Sequence, residues 1–306
     1  MTVTTHDDWA TSGFLHPPVA EAVGPFAGRS LLEAWWKLRG TGDLVIVEGP
    51  DALFATEQSE TTIRFAGEAD LFDYHSPLGK GATGLVTDWA RDLPAGTILD
   101  LDSLPGEAAD PFMDGLRDAG LAPVAEVHES AAVVALPDDF DAYLALLGKK
   151  QRHETRRKAR RFGEILGQPR LIREAGAAAV AQFAEMHRLA DGRKGTFMSS
   201  EMEALFEAFH DAGAVIDFLY GDRDEPVAAG FGFEDECSYY LYNSAYDPEA
   251  GAASPGIVLV SALIKQATAK GKARFDFLKG DEVYKYRLGA TARPLWRITA
   301  TVGGRS

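Results

Sequence analysis

The stretch Phe275–Gly289, FDFLKGDEVYKYRLG, constrains the fold of this chain more than any other segment. Its apolar start at Phe275, Phe277 and Leu278 predicts a short buried strand, and Gly280 predicts a sharp turn where backbone freedom is needed. Charged side chains and two tyrosines follow at once, which is not typical of a plain core segment. Ligands commonly bind at the carboxyl ends of strands in sheets covered by helices, so we expect a functional site here.

The segments before this stretch predict a strand, a small-residue loop and a helix. Ser238–Ala245 is an aromatic strand, Ala252–Gly256 is a turn, and Ile257–Lys270 has an amphipathic pattern. Such a loop presents backbone N–H groups at the positive end of a helix, which suits an anion such as pyrophosphate. The alternative is an ordinary capped helix, with Ser254 as the cap and Pro255 as the first residue.

The length of 306 residues predicts two domains, which we place at residues 1–147 and 148–306. The sequence has no long apolar run and no signal-peptide pattern, so we expect a cytoplasmic protein without a membrane partner. The single cysteine, Cys237, excludes an intramolecular disulfide and precedes an apolar strand, which predicts an inert core thiol. The seven histidines lack ligand-like spacing, so we predict no metal site.

The net charge of -15 is unevenly distributed along the chain. Residues 1–147 carry 7 Lys and Arg against 25 Asp and Glu, whereas residues 148–306 carry 24 against 21. An acidic chain repels polyanions, so we expect no DNA partner and no general affinity for nucleic acid. A local basic run, Gly148–Phe162, still contains eight Lys and Arg and one Glu.

The basic run predicts a helix over residues 148–162, with Thr155, Ala159 and Phe162 on a weak apolar stripe. Two interpretations are open. The helix is a solvated linker whose cations offset the acidic first half, or it contacts ligand phosphates or an anionic partner. Guanidinium groups bind phosphate in a bidentate way, which favours three residues as donors in the second case. These are Arg156, Arg157 and Arg160.

Hydrophobic periodicity predicts an α+β fold, in which helices pack on a mixed sheet. In the second half we expect strands 169–174, 214–220, 226–234, 237–245, 274–279 and 294–302 and helices 177–189, 200–211, 256–270 and 282–288. In the first half we expect helices 28–39, 81–92 and 110–119, strands 43–48, 51–57, 61–65 and 97–101, and a strand pair at 122–128 and 130–136. The order of elements largely repeats, which indicates a duplicated fold.

The residues SPGIVLVSALIKQATAKGKARFDFLKGDEVYKYRLG, preceded by YYLYNSAYDPE, resemble the CelD-type acetyltransferase family of the GNAT superfamily, which is related to Fem-type peptidyltransferases. The resemblance covers roughly residues 148–300, and FDFLKGDEVYKYRLG is its most specific part. It implies tandem GNAT-like acyltransferase domains. The first half would then be a degenerate GNAT-like domain at 1–147, and the second an active GNAT domain at 148–306.

The resemblance implies transfer of an acyl group, commonly acetyl, from acyl-coenzyme A to an amine of a small molecule or sugar. Asp281 and Glu282 are the implied candidates for accepting the amine proton. Tyr284 or Tyr286 would protonate the departing thiolate. Backbone N–H groups of the aromatic strand would stabilise the oxyanion.

Some candidate binding residues follow from the same resemblance, and others follow from the residues alone. Lys285 is expected to bind the substrate, because an unperturbed lysine is cationic at neutral pH and is a poor base. Asp276 is also expected to bind the substrate, and it is a weaker candidate than Asp281 and Glu282 for accepting the amine proton, because strand alternation turns it to the other face. Asp73 and Tyr74 could line an acceptor pocket, although Asp73 fits a turn-capping role equally well. The expected coenzyme A contacts are Tyr242, Asn243, Ser244, Ser254, Gly256 and Ile257.

The loop before the helix departs from the usual GNAT pattern. That pattern begins with Gln or Arg and carries a spaced Gly pair, whereas Glu249–Gly256 offers Gly251 and Gly256, and Pro255 removes one N–H donor. Fem-type relatives take aminoacyl groups from tRNA, and the basic helix suits that donor. An aminoacyl-tRNA-dependent transferase is therefore one alternative. A non-catalytic ligand-binding protein with the GNAT fold is another, although the clustered polar groups after Gly280 weigh against it.

Overall fold

The computed structural model describes residues 3–12, 23–190 and 192–303, which form two compact units. The first unit extends to Ala131 and includes the chain from Arg293 onward, and the second unit is Ala132–Ala292. These bounds differ from the predicted division after residue 147. Tyr143 and Leu144 pack in the core of the second unit, and the end of the chain adds a strand to the sheet of the first.

In its described residues, the first unit has three α-helices and a mainly antiparallel sheet. Its helices are α1 (Arg29–Arg39), α2 (Ala82–Asp92) and α3 (Gly106–Asp118). Its strands are β1 (Thr4–His6), β2 (Asp43–Glu48), β3 (Ala52–Ser59), β4 (Thr62–Phe65), β5 (Leu78–Gly79) and β6 (Ile98–Pro105). The chain enters the second unit along β7 (Val124–Ala135).

The second unit contains the five neighbouring strands β8 to β12 and helices packed around them. The helices are α4 (Phe140–Leu146), α5 (Lys149–Leu166), α6 (Ala177–Arg188), α7 (Arg193–Phe197), α8 (Ser200–Asp211), α9 (Pro255–Ala269) and α10 (Val283–Arg287). The strands are β8 (Arg170–Glu174), β9 (Val215–Tyr220), β10 (Ala228–Glu234), β11 (Ser238–Tyr246) and β12 (Arg274–Lys279). The chain returns to the first unit along β13 (Thr291–Thr301).

Strand pairing repeats between the two units. In the first, β1 to β4 pair antiparallel in sequence and β4 then pairs parallel with β6 across α2. In the second, β8 to β11 pair antiparallel and β11 then pairs parallel with β12 across α9. The predicted mixed sheet and the repeated order of elements are therefore present.

Two predictions about local structure are wrong. Residues 122–128 and 130–136 do not form two strands, because β7 runs without a turn from Val124 to Ala135. Cys237 is exposed and not a core thiol, since it lies in the turn where its N–H bonds Asp235 Oδ1 at 2.8 Å. Across the described part of the chain, no helix is long and apolar enough to cross a bilayer.

A buried ionic network ties together the central strands of the second unit. Asp217 is fully buried on β9 and accepts hydrogen bonds from Arg173 at 3.0 and 2.9 Å and from Tyr239 Oη at 2.9 Å. Arg173 also bonds Glu234 at 2.6 Å. Burial raises the pKa of Glu234, but bonds from Arg173 and Lys270 outweigh it and lower that pKa to about 2. Glu234 is therefore ionised at neutral pH.

Replacing Asp217 by alanine should destabilise the protein by about 3 kcal/mol, because it leaves the Arg173 guanidinium partly buried without its bidentate partner. Urea unfolding at neutral pH measures the change in the free energy of unfolding. Asp224→Asn, at an exposed position, is the matched control and should change stability by less than about 0.5 kcal/mol. Equal stability of the two variants would contradict the assignment.

Candidate active site

The candidate site begins where two parallel strands separate. β11 and β12 pair only over Ser238–Tyr240 and Arg274–Asp276. Both strands continue beyond this register, to Tyr246 and Lys279. The backbone beyond Tyr240 and Asp276 is thus free of the partner strand, and a cavity of about 590 Å³ lies at these strand ends.

The start of α9 forms another wall of this cavity, called here the first cavity. Ser254, Pro255, Gly256 and Ile257 all line it. Ser254 adopts a left-handed conformation with φ of 56°, and its side chain makes no capping hydrogen bond. The positive end of the α9 dipole therefore lies beside the cavity without an acidic cap.

A β-bulge on β11 positions the polar groups of the opposite wall. Phe231 pairs with Asn243 and Gly232 with Leu241, so Tyr242 is an extra residue on β11. Asn243 Oδ1 accepts the N–H of Ser244 at 2.8 Å and lies 3.1 Å from His187 Nε2.

The Ser244 N–H fixes the orientation of the Asn243 amide, because a backbone N–H can donate to the amide oxygen but not to the NH₂ group. His187 Nε2 must then be the second donor to that oxygen. The Asn243 NH₂ group is left for the cavity, which Asn243 lines. The buried His187 therefore orients a hydrogen-bond donor toward the cavity.

The end of β12 is shaped by Asp276 and Lys285. Leu278 has a positive φ of 59°, and its N–H bonds Asp276 Oδ1 at 2.7 Å. The following turn directs backbone carbonyls at the buried ammonium of Lys285, with Phe277 O at 3.3 Å and Lys279 O at 2.6 Å. Gly280 has a φ of 109°, and a Cβ there would lie 2.9 Å from Lys285 Nζ. Glycine is therefore required at this position, as the sequence predicts.

The first cavity brings together nine of the predicted site residues. Glu282 carries the carboxylate among the lining residues and pairs with Lys285 at 2.9 Å. Three lysines give the lining an excess of positive charge. The predicted residues that line the cavity are Tyr242, Asn243, Ser244, Ser254, Gly256, Ile257, Glu282, Tyr284 and Lys285.

Three predicted residues near the motif lie outside the cavity lining. Asp281 is exposed and does not line the cavity, and Tyr286 packs partly buried against the core. Asp276 is buried, with its carboxylate bonded to the Leu278 N–H, so the structure places it as a support for the strand end.

The remaining predicted residues are also elsewhere. Asp73 and Tyr74 are buried in the first unit, where the Arg293 guanidinium lies 5.3 Å from the Tyr74 ring centre. Arg156, Arg157 and Arg160 are exposed on α5 and do not line the cavity. Arg157 bonds Glu154 at 2.7 Å instead.

Sequence reasoning missed three residues that shape the site. Lys158 on α5 and Lys279 at the end of β12 both line the cavity, and His187 supports Asn243. Lys158 follows the buried Thr155 by three residues and precedes Phe162 by four, so the helical stripe was a usable signal. No sequence pattern pairs His187 with Asn243.

Of the two tyrosines in the motif after Gly280, Tyr284 lines the first cavity and Tyr286 does not. Burial, assisted by the negative charge of Glu282, raises its pKa to about 12. The phenol is therefore protonated throughout the neutral range and can donate a hydrogen bond. Its ring packs edge-on against Phe277 at 5.9 Å, which restricts its orientation.

Comparison with protein families identifies this part of the chain. Residues 149–286, just under half of the sequence, match the model of the acetyltransferase (GNAT) domain. These residues form a GNAT acyltransferase domain. The GNAT domain contains every residue that lines the first cavity. No curated protein sequence matches the chain at a significant level.

Solved structures with the same fold cover both units. FemX aligns with a TM-score of 0.64 at 11% identity, over 97% of this chain and 97% of its own. L-PGS from Bacillus licheniformis aligns with 0.59 at 13% identity, over 94% and 95%. A conserved protein of unknown function from Bacteroides thetaiotaomicron aligns with 0.63 at 12% identity, over 98% and 100%. Similarity at these identities shows the fold alone.

Replacing Lys285 by methionine should destabilise the protein by about 1–3 kcal/mol, because buried carbonyl groups lose their donor. Urea unfolding measures the loss. Lys265→Met, on the exposed side of α9, is the control and should leave stability nearly unchanged. A loss no larger than that of the control would show that the carbonyl contacts contribute nothing.

Asp276 offers a graded test of the strand end. Asp276→Asn retains an oxygen that can accept the Leu278 N–H, whereas Asp276→Ala leaves a left-handed residue without its hydrogen bond. We expect the alanine variant to lower the free energy of unfolding by about 1–3 kcal/mol more than the asparagine variant. The reverse order would rule out this role for Asp276.

Proposed function

We propose that this protein is a cytoplasmic N-acyltransferase of the CelD type, which transfers an acetyl or other acyl group from acyl-coenzyme A to an amine of a small molecule or sugar. The observation that carries the proposal is the cavity between the separated ends of β11 and β12. Strand backbone, the positive end of a helix and a protonated phenol converge there. Such a site suits a thioester whose carbonyl oxygen and sulfur both gain negative charge.

The reaction forms one C–N bond and breaks one C–S bond. A neutral amine attacks the thioester carbonyl carbon, and the carbonyl oxygen becomes an oxyanion. That oxygen accepts hydrogen bonds from backbone N–H groups of β11, beyond the residues that pair with β12, and from the Asn243 amide. Collapse of the intermediate expels the coenzyme A thiolate. The amine proton passes to Glu282, directly or through water.

Tyr284 is the proposed donor to the thiolate. Its raised pKa, about 12, keeps the hydroxyl protonated at the pH where amines react. Lys285 is excluded as the base in this scheme, because its ammonium is bonded to Lys279 O at 2.6 Å and Glu282 at 2.9 Å. Its proposed role is therefore to hold Glu282 and the strand end in place.

Acetyl-coenzyme A should stabilise the protein in a thermal-shift series. At one hundred times the dissociation constant, binding adds about 2.7 kcal/mol. Gly256→Trp should abolish the stabilisation, because Gly256 lines the cavity and a Cβ there already lies 3.4 Å from the Tyr246 ring. Gly251→Trp, at an exposed residue with open space around its Cβ position, is a second variant that should have a smaller effect. No response of the wild type to any acyl-coenzyme A would overturn the proposal.

Replacing Tyr284 by phenylalanine should lower kcat about 100-fold while leaving the dissociation constant of acetyl-coenzyme A nearly unchanged. The assay follows thiol release with a panel of amino sugars and other small amines. Tyr286→Phe is the matched control, because Tyr286 does not line the cavity. An equal loss in both variants, or none in Tyr284→Phe, would remove Tyr284 from the mechanism.

An aminoacyl-tRNA-dependent, Fem-like transferase is the second candidate. It is favoured by the exposed cations of α5, which include Arg156, Arg157 and Arg160. Bulk aminoacylated tRNA, added to the same thermal-shift series at low and moderate salt, separates the two donors. Stabilisation by tRNA that weakens with salt, without a coenzyme A response, would establish this candidate in place of the first.

A further inference from the structure

A second cavity of about 440 Å³ adjoins the first. Lys158, Ile257 and Tyr284 line both cavities and form the wall that they share. The other lining residues come from α5 and from α10 with the residue after it. They are Lys150, Gln151, Glu154, Thr155, Arg287 and Leu288.

The second cavity has an excess of positive charge in an otherwise acidic chain. Lys150, Lys158 and Arg287 line it, and Glu154 is its carboxylate. Glu154 is already engaged, because Arg157 bonds it at 2.7 and 2.8 Å. Within the described ranges, no carboxylate forms a salt bridge with Lys150 or Arg287. Such cations are available to an anionic ligand.

The start of α9 cannot supply the usual number of backbone donors for such an anion. Pro255 has no N–H. The N–H of Ser254 bonds Gly251 O at 3.0 Å, and those of Ile257 and Val258 each approach Ser254 O at 3.2 Å. Gly256 is thus the residue of this turn whose N–H remains for a ligand. A diphosphate bound in this domain needs charged side chains as well.

We propose that the second cavity binds the phosphate groups of the acyl donor through Lys150, Lys158 and Arg287. This inference rests on the proposed function, since it assumes that the thioester lies in the first cavity. Lys158 reaches both spaces, so a donor that passes Tyr284 and Ile257 meets cations directly beyond them. The Arg287 guanidinium can contact two phosphate oxygens at once. Backbone binding of pyrophosphate is replaced here by side-chain binding.

Isothermal titration with two donors tests the inference. Acetyl-coenzyme A carries phosphates, and S-acetylpantetheine carries the same thioester without them. The variant Lys150→Ala with Arg287→Ala removes two exposed cations of the second cavity. Arg160→Ala removes a cation of the same helix that lines neither cavity and serves as the control. Thermal melting of each variant confirms that it is folded.

The double variant should weaken acetyl-coenzyme A binding by at least about tenfold and leave S-acetylpantetheine binding unchanged. The control should bind both donors like the wild type. Unchanged acetyl-coenzyme A affinity in the double variant, or equal weakening of both donors, would overturn the inference while the proposed function stands. Failure of the wild type to bind either donor would overturn the proposed function, and this inference with it.

Discussion

The hydrogen bond between Asp276 and the N–H of Leu278 is the constraint on which the site depends. It holds Leu278 in a left-handed conformation near the end of β12, where the backbone would otherwise continue as regular strand. The chain therefore leaves the direction of β11 and turns its carbonyl groups toward Lys285. The first cavity lies at these separated ends. The buried side chains of Asp276 and Lys285 thereby shape the space in which a substrate would bind.

The first unit repeats the topology but uses the corresponding region differently. There, β4 and β6 pair parallel over Thr62–Ile63 and Ile98–Leu99. The chain after β4 then returns to β6, where the His75 N–H bonds Ser103 O at 2.9 Å and His75 Nδ1 lies 3.1 Å from Asp102 Oδ1. Phe72 and Tyr74 are fully buried beside it.

Side chains of this segment pack at the ends of β4 and β6, where the His75 ring centre lies 5.0 Å from that of Phe65. Phe72 and Tyr74 are buried there, and the His75 N–H bonds Ser103 O on the edge of β6. A donor could enter only if this buried segment were displaced. We infer that the first unit is a degenerate copy whose donor site has become core, which explains why Asp73 and Tyr74 are poor candidates for binding an acceptor.

Local signals in the sequence predicted most elements but not the contacts between them. Pro255 and Gly280 punctuate α9 and β12 strongly, so the predicted bounds agree with the structure to within a residue. The predicted strand pair 122–128 and 130–136 requires a turn at residue 129, yet β7 passes through it because strand pairing overrides weak local propensity. Likewise, helical spacing placed cations on α5 but did not show which of them face a cavity. Lys158 does, and Arg156 does not.

The two candidate donors, acyl-coenzyme A and aminoacyl-tRNA, differ in size, so they interact with the charges of the protein over different distances. A net charge of -15 acts on a large polyanion over its whole surface, whereas screening limits each charge to about 8 Å at physiological salt. A donor with a few phosphates therefore experiences mainly the cations within that distance. Lys150, Lys158 and Arg287 satisfy this condition at the second cavity. A tRNA extends far beyond that distance and also meets the acidic residues of the chain, so this charge distribution supports the proposed coenzyme A donor over tRNA.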